Sequence, residues 1–188
     1  MTTNKLVERH TITALVQDKP GVLNRVTSMF RRRGFNISSL AVGHSEIAHL
    51  SRMTFVVEGG DQILDQVTKH LHKLIDVIKV TDVSSENAVA RELALIRVKT
   101  STQTRSEIMQ IVNLFRANII DVAPDTLIVE VVGDENKIEA LQNLLERFGI
   151  QEIMRTGTIA MRRGMGPDNT SDNPVPKQTP VVYETGSV

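Results

Sequence analysis

Five residues of this chain have types and spacing suited to gripping a small zwitterion: Asp18, Gly21, Val22, Asn36 and Ile37. The stretch Asp18-Lys-Pro-Gly-Val-Leu reads as a strand end, a tight turn and the start of a helix. Backbone N–H groups at a helix start have no intrahelical partner and attract an anion, a carboxylate as well as a phosphate. Asp18, at the mouth of the turn, could hold an ammonium group, and Gly21 lets a ligand or a second backbone come close. Asn36 offers a donor and an acceptor from the neighbouring strand. Val22, Leu23 and Ile37 would supply apolar walls. An anion pole, a cation pole and apolar walls suit a free α-amino acid. The same residues also fit a purely architectural turn, with Asp18 capping the helix, Gly21 reversing the chain and Asn36 serving a turn.

The elements that position these residues are legible from periodicity. Thr11–Val16 alternates as a strand. Pro20 suits the first helical turn, and Val22, Leu23, Val26, Met29 and Phe30 give one apolar helix face. Arg31, Arg32 and Arg33 suit the helix C-terminus, and Gly34 supplies the stop. Ile37–Val42 is a second strand that Gly43 stops, and Ser51–Glu58 a third. Gly59-Gly60-Asp61 caps a second helix with the stripe Ile63, Leu64, Val67, Leu71 and Leu74. Val77, Ile78, Val80 and Val83 make a fourth strand. The order strand–helix–strand–strand–helix–strand is the split, ferredoxin-like βαββαβ arrangement.

The pattern then repeats. Glu92–Lys99 is a strand, and Thr104 with Glu107 forms a capping box for a helix running to about Ala117. Ile119–Val122 and Thr126–Val132 are strands, Asp134 starts another helix, and Ile150–Met154 begins the closing strand. Met29-Phe30-Arg31 and Asn36-Ile37 are echoed by Leu114-Phe115-Arg116 and Asn118-Ile119, a sign of duplication. The expectation is an α+β chain of two domains, residues 1–84 and 85–163, joined by the polar segment Ser84–Val89. A disordered tail over 164–188 should follow, since four of the six prolines lie between Pro167 and Pro180. The second copy has Thr100-Ser-Thr-Gln-Thr104 between its first strand and helix, without proline or glycine. A ligand turn is therefore expected only in the first copy, with the second contacting a partner.

Composition narrows the function. Lysine plus arginine equals aspartate plus glutamate at 22 each, so no large field recruits nucleic acid or a membrane surface. There is no cysteine, which removes disulfides and thiol catalysis and fits a reducing compartment. Met1–His10 lacks the apolar run of a signal peptide, and no segment is long and apolar enough to span a bilayer. A soluble cytoplasmic protein is expected. His70 and His72 point in different directions on a helix and make a poor metal pair. No serine–histidine–acid set stands out, and Gly164-Met-Gly166 lacks the context of a dinucleotide loop.

These residues resemble the ACT domain, a small amino-acid-binding regulatory module. More closely, Asp18-Lys-Pro-Gly-Val-Leu, Phe30-Arg-Arg-Arg-Gly-Phe-Asn-Ile, Leu50-Ser-Arg-Met-Thr and Leu71-His-Lys-Leu-Ile-Asp-Val look like the acetohydroxyacid (acetolactate) synthase small-subunit family. Arg91-Glu-Leu, Phe115-Arg-Ala-Asn-Ile-Ile-Asp-Val and Arg155-Thr-Gly-Thr-Ile-Ala extend the likeness through the second half. The resemblance implies tandem ACT and ACT-like domains in a non-catalytic subunit of branched-chain amino acid biosynthesis. Such a subunit activates a large catalytic subunit and confers feedback inhibition by valine or a related amino acid. Thiamine diphosphate, Mg and FAD would belong to that catalytic partner, with no cofactor in this chain. It also implies a homodimer in which Asp18, Gly21 and Val22 of one protomer face Asn36 and Ile37 of the other. Asp18 stands where relatives often carry asparagine, and Ser38-Ser39 where a pair containing glutamate is more usual. A free-standing amino-acid sensor of two ACT domains would share this fold and site without needing a large subunit.

Overall fold

The computed structural model describes residues 8–84 and 87–164. A bare sheet would leave both faces wet; here two helices cover one face of each of two sheets. The first unit runs β1 (Arg9–Gln17), α1 (Val22–Arg33), β2 (Ile37–His44), β3 (Leu50–Glu58), α2 (Asp61–His72) and β4 (Val77–Asp82). The second runs β5 (Ala88–Lys99), α3 (Arg105–Leu114), β6 (Asn118–Val122), β7 (Thr126–Gly133), α4 (Glu135–Glu146), β8 (Ile150–Arg155) and β9 (Ile159–Arg162). The sheet orders β2-β3-β1-β4 and β6-β7-β5-β8 are the same topology twice, every neighbouring pair antiparallel. This is the tandem βαββαβ architecture that the sequence pattern gives.

Each unit has its own core. Ile12, Ala14 and Val16 of β1 meet Val26 and Phe30 of α1 and Val67 and Leu71 of α2, with Phe30 and Phe55 stacked at 5.2 Å between ring centroids. In the second unit Ala94, Ile96 and Val98 meet Ile108 and Val112 of α3 and Ile138 and Leu141 of α4. These are the positions at which period-two strands and period-3.6 helices place apolar side chains toward each other.

Several local expectations are corrected. Pro20 lies before α1 rather than in it, because Gly21 takes the N-cap position with φ 87°. Only glycine adopts that left-handed conformation without a steric penalty. Asp18 does not cap the helix; its Oδ2 meets His44 Nδ1 at 3.1 Å. Within Gly59-Gly60-Asp61, the expected cap of α2, Gly60 takes the N-cap position in extended backbone. β2 runs through Gly43 to His44, since Gly43 and His44 keep pairing with Arg52 and Ser51. The Thr104–Glu107 capping box does not form. The reciprocal pair sits one turn earlier, with Ser101 N–H donating to Thr104 Oγ1 at 2.9 Å and Thr104 N–H to Ser101 Oγ at 3.3 Å. Glu107 instead accepts from Arg147 at 2.6 Å. β5 begins inside the segment read as a linker, and its first four residues pair with β9, a strand that the periodicity did not reveal. The expected tail beyond Gly164 lies outside the described residues.

α3 ends three residues before Ala117, and the reason links the two repeats. At the end of α1, Phe35 N–H donates to Phe30 O and Gly34 N–H to Arg31 O, with Gly34 at φ 70°. At the end of α3, Ala117 N–H donates to Val112 O and Arg116 N–H to Asn113 O, with Arg116 at φ 49°. Both are the same closing motif, which favours glycine at the left-handed position. The structural equivalent of Gly34 is thus Arg116, which shifts the apparent Phe30–Phe115 echo out of register; the Asn36-Ile37 and Asn118-Ile119 echo stands. Arg116→Gly should therefore raise stability by about 0.5–1 kcal/mol, while Gly34→Ala should lower it by a similar amount. No atom would crowd a Cβ at Gly34, so its effect is conformational. Chemical denaturation of both variants beside the parent chain checks the opposite signs.

Candidate functional site

The β1–α1 turn is held from behind by backbone bonds: Asp18 N–H donates to His49 O at 2.8 Å, and Gln17 N–H to Asp76 O at 2.8 Å. Arg25, one turn into α1, pairs with the buried Asp76 at 2.6 Å. This fixes the helix start against the end of the sheet. Gly21 has nothing within 4 Å of where a Cβ would stand, so the turn is open on its outer side. The helix start carries no side-chain cap. α3 also lacks a side-chain cap, but the turn before it is tied by the Ser101 and Thr104 hydroxyls, each accepting from the other residue's N–H. The two repeats thus differ in the turn that leads into the first helix, a left-handed glycine in one and a hydroxyl-tied turn in the other.

Val22 is 3% exposed and its side chain belongs to the core, while its backbone N–H donates to Lys19 O across the turn at 3.3 Å. Leu23, 43% exposed, is the apolar side chain available there. Ile37 packs partly against the core at the opposite end of the sheet. There Asn36 Nδ2 donates to Glu58 Oε2 at 3.4 Å, and in the second repeat Asn118 Nδ2 donates to Glu130 Oε1 at 3.1 Å. The asparagine is therefore a feature of both repeats, whereas the open turn belongs to the first alone.

Within one chain these five residues do not meet. Gln17 is the register partner of Leu50, while Asn36 reaches Glu58 at the other end of β3. A nine-residue strand separates the two groups by about 25 Å. What reaches Asp18 instead is His44, at the far end of β2. Beside His44 a cleft of about 570 Å³ opens between Ala41–His44 and Ile159–Arg162.

A second polar cluster lies where the two units touch. Glu92, 5% exposed, accepts two bonds of 2.7 Å from Arg155. The Arg155 guanidinium is held above its ordinary pKa first by that hydrogen bond and then by the Glu92 charge, with burial opposing both. Arg9 of β1 pairs with Glu135 of α4, and that bond likewise raises the Arg9 pKa. Thr158 N–H donates to Ser39 Oγ at 2.8 Å, and Arg162 Nη2 to Asp82 O at 2.9 Å. A cavity of about 310 Å³ opens here between Ser38–Leu40 and Arg155–Thr158. The sequence did carry one signal for this cluster: Glu92 is in phase with the inward-facing Ala94, Ile96 and Val98, so a partner was required. Among the described residues, no group of three or more His, Asp and Glu is arranged to hold a metal ion.

Residues 91–164 match the family model described as the small subunit of acetolactate synthase, and residues 12–79 match that of the AHAS small subunit-like ACT domain. The chain is 54% identical over 156 residues to the probable acetolactate synthase small subunit of Archaeoglobus fulgidus, covering 83% of this chain and 98% of that one. The chain belongs to the acetolactate synthase small-subunit family. The Bacillus subtilis member is 51% identical over 154 residues, covering 81% of this chain and 90% of its own length. The crystal structure of the Thermotoga maritima small subunit superposes with a TM-score of 0.78 at 44% identity, covering 84% of this chain and 99% of that one. The family match therefore spans both repeats and the Arg155–Thr158 turn.

Removing Arg155 leaves a buried carboxylate without its partner, which typically costs about 3–5 kcal/mol, whereas replacing both members by apolar groups is far milder. Arg155→Met should accordingly lower stability by about 3 kcal/mol, discounted for the partly exposed guanidinium. The double variant Glu92→Met/Arg155→Met should recover most of that loss. Guanidinium titrations of the single and double variants read the difference.

Proposed function

We propose that this chain is the regulatory subunit of acetolactate synthase. It binds the large catalytic subunit, raises its activity, and transmits feedback inhibition by valine or a related branched-chain amino acid. It supplies no catalytic group of its own; thiamine diphosphate, Mg and FAD belong to the large subunit in this reading. The observation that carries the proposal is the turn at the left-handed Gly21, open on its outer side, where the second repeat has Thr104 in right-handed backbone. The names of the relatives, each called a small subunit of acetolactate synthase, support the partner.

The site is built from two copies. Among the described residues β2 pairs with β3 alone, so its other side can accept a second strand. Antiparallel pairing of β2 with β2 of a second copy sets the Ile37 end of one against the His44 end of the other. Since His44 touches Asp18, Asn36 and Ile37 of one protomer then approach Asp18, Gly21 and the Val22 amide of its partner. The helix start receives the ligand carboxylate, Asp18 the ammonium group, and Leu23 with Ile37 the branched side chain. Burying that side chain contributes about 1.5–3 kcal/mol. The first domain, residues 1–84, carries ligand and dimer contact, and the second, residues 85–163, meets the large subunit. The complex operates in the cytoplasm, and among the described residues no helix is long and apolar enough to cross a membrane.

A ligand changes activity only through different affinities for two states of the complex, commonly by about 1–3 kcal/mol. Gly21→Asp, which puts a side chain and a negative charge at the turn, should raise the half-inhibitory valine concentration at least about tenfold. Asn36→Ala should do the same, and both should leave activation of the large subunit intact. Acetolactate formation by the reconstituted complex, with and without valine, is the measurement. Full valine sensitivity in Gly21→Asp would refute the site.

A further inference from the structure

We propose that Ser39 and Leu40 of β2, together with the turn Arg155–Thr158, form the clasp through which the amino-acid site of the first domain acts on the second. The inference rests on the regulatory reading above and names its transmission. Three observations meet at this point. First, the site and the clasp share one strand, Asn36 and Ile37 opening β2 and Ser39 following two residues later. Between them the pairing with β3 shifts register, with Ser38 as the extra residue and its Oγ donating to Val56 O at 3.1 Å. A bulge of this kind loosens the ladder locally, so the strand on either side of it can re-aim.

Second, the contact across to the turn leaves no slack. Thr158 N–H donates to Ser39 Oγ at 2.8 Å. Gly157, at φ 82°, lies so close that a Cβ would stand 2.7 Å from Leu40 O. Both its conformation and its surroundings require glycine. Third, the other side of the turn is fixed to the second domain. Arg155 is gripped twice by Glu92, Thr156 N–H donates to Leu93 O at 3.1 Å, and Leu93 N–H to Thr156 Oγ1 at 3.2 Å. A shift of β2 must therefore either break the Ser39–Thr158 bond or carry the turn, and β5 with it.

Two further polar contacts between the units lie elsewhere on the first sheet. Arg162 bonds Asp82 at the end of β4, the opposite edge strand from β2, and Arg9 of β1 meets Glu135. The 310 Å³ cavity beside the clasp gives the turn room to follow motion of β2. Packed interfaces of this sort switch between arrangements rather than deform continuously. Ser39 replaces nothing in the ligand contacts, which separates its part from that of Asn36.

The test uses Ser39→Ala and Gly157→Ala in the full chain, reconstituted with the large subunit. Calorimetry should show both variants binding valine within about threefold of the parent, while inhibition at saturating valine is largely lost. Hydrogen exchange of the parent supplies a second readout: saturating valine should change the exchange rate of the Thr158 amide, and should not do so in Ser39→Ala. Parent-like inhibition in Ser39→Ala, or a Thr158 amide indifferent to valine in a parent that binds it, overturns the clasp. Loss of valine binding in both variants also overturns it, by making these residues part of the site. A parent that neither binds nor responds to valine, leucine or isoleucine fails differently: the regulatory reading falls first and takes the clasp with it.

Discussion

Among the described residues β2 pairs with a neighbouring strand on one side only, and much of the molecule is arranged around that asymmetry. An edge strand presents a row of unmet N–H and C=O groups, which proteins cover, blunt or pair. Here the strand begins with Asn36 and Ile37, passes Ser39 and Leu40 under the turn from the second unit, and ends with His44 against Asp18. Each of the three has a different neighbour, yet all sit on one short, stiff segment. A change at any of them is felt by the others because a strand transmits displacement along its length far better than a loop does. The helices contribute by covering the inner face, leaving the edge as the place where the first unit can meet something else.

The periodic parts of the chain were readable from sequence, and the corrections share a cause. β1, β3, α1 and the core stripes emerged because alternation and helical spacing are repeated over many residues, so single exceptions do not hide them. Positions that hinge on one residue's backbone did not. Arg116 occupies a left-handed position that a glycine would have announced, so α3 was read as too long. The Ser101–Thr104 pair and the Thr104–Glu107 pair satisfy the same spacing rule, and only the presence of Arg147 beside Glu107 decides between them. β9 is four residues long, below what periodicity can resolve, and exists because β5 extends far enough to pair with it. For the candidate site, the residue types were legible but not their separation along β3, which depends on strand order. Val22 illustrates the limit: a valine at a helix start is equally suited to wall or core, and packing placed it in the core.

Duplication explains what the two units share, and divergence what each does. The asparagine–glutamate pair at the sheet end is kept in both, as is the closing motif of the first helix, although one copy fills it with glycine and the other with arginine. Such features hold a βαββαβ unit together and say little about ligand. The difference is concentrated where the first strand hands over to the first helix. There one copy turns on a left-handed glycine that is open to the outside, and the other on a turn tied by its own serine and threonine hydroxyls.

The Thr11 amide donates to Ser84 Oγ, and the Arg163 amide to Asn87 O. Each unit therefore starts and finishes at adjacent points, its two chain ends fastened to one another like the ring of a key. A module closed in this way can be copied head to tail without rebuilding its interior, since nothing inside must open to admit the junction. It also sets Arg163 beside the seam between the two units, not at the far pole of the second.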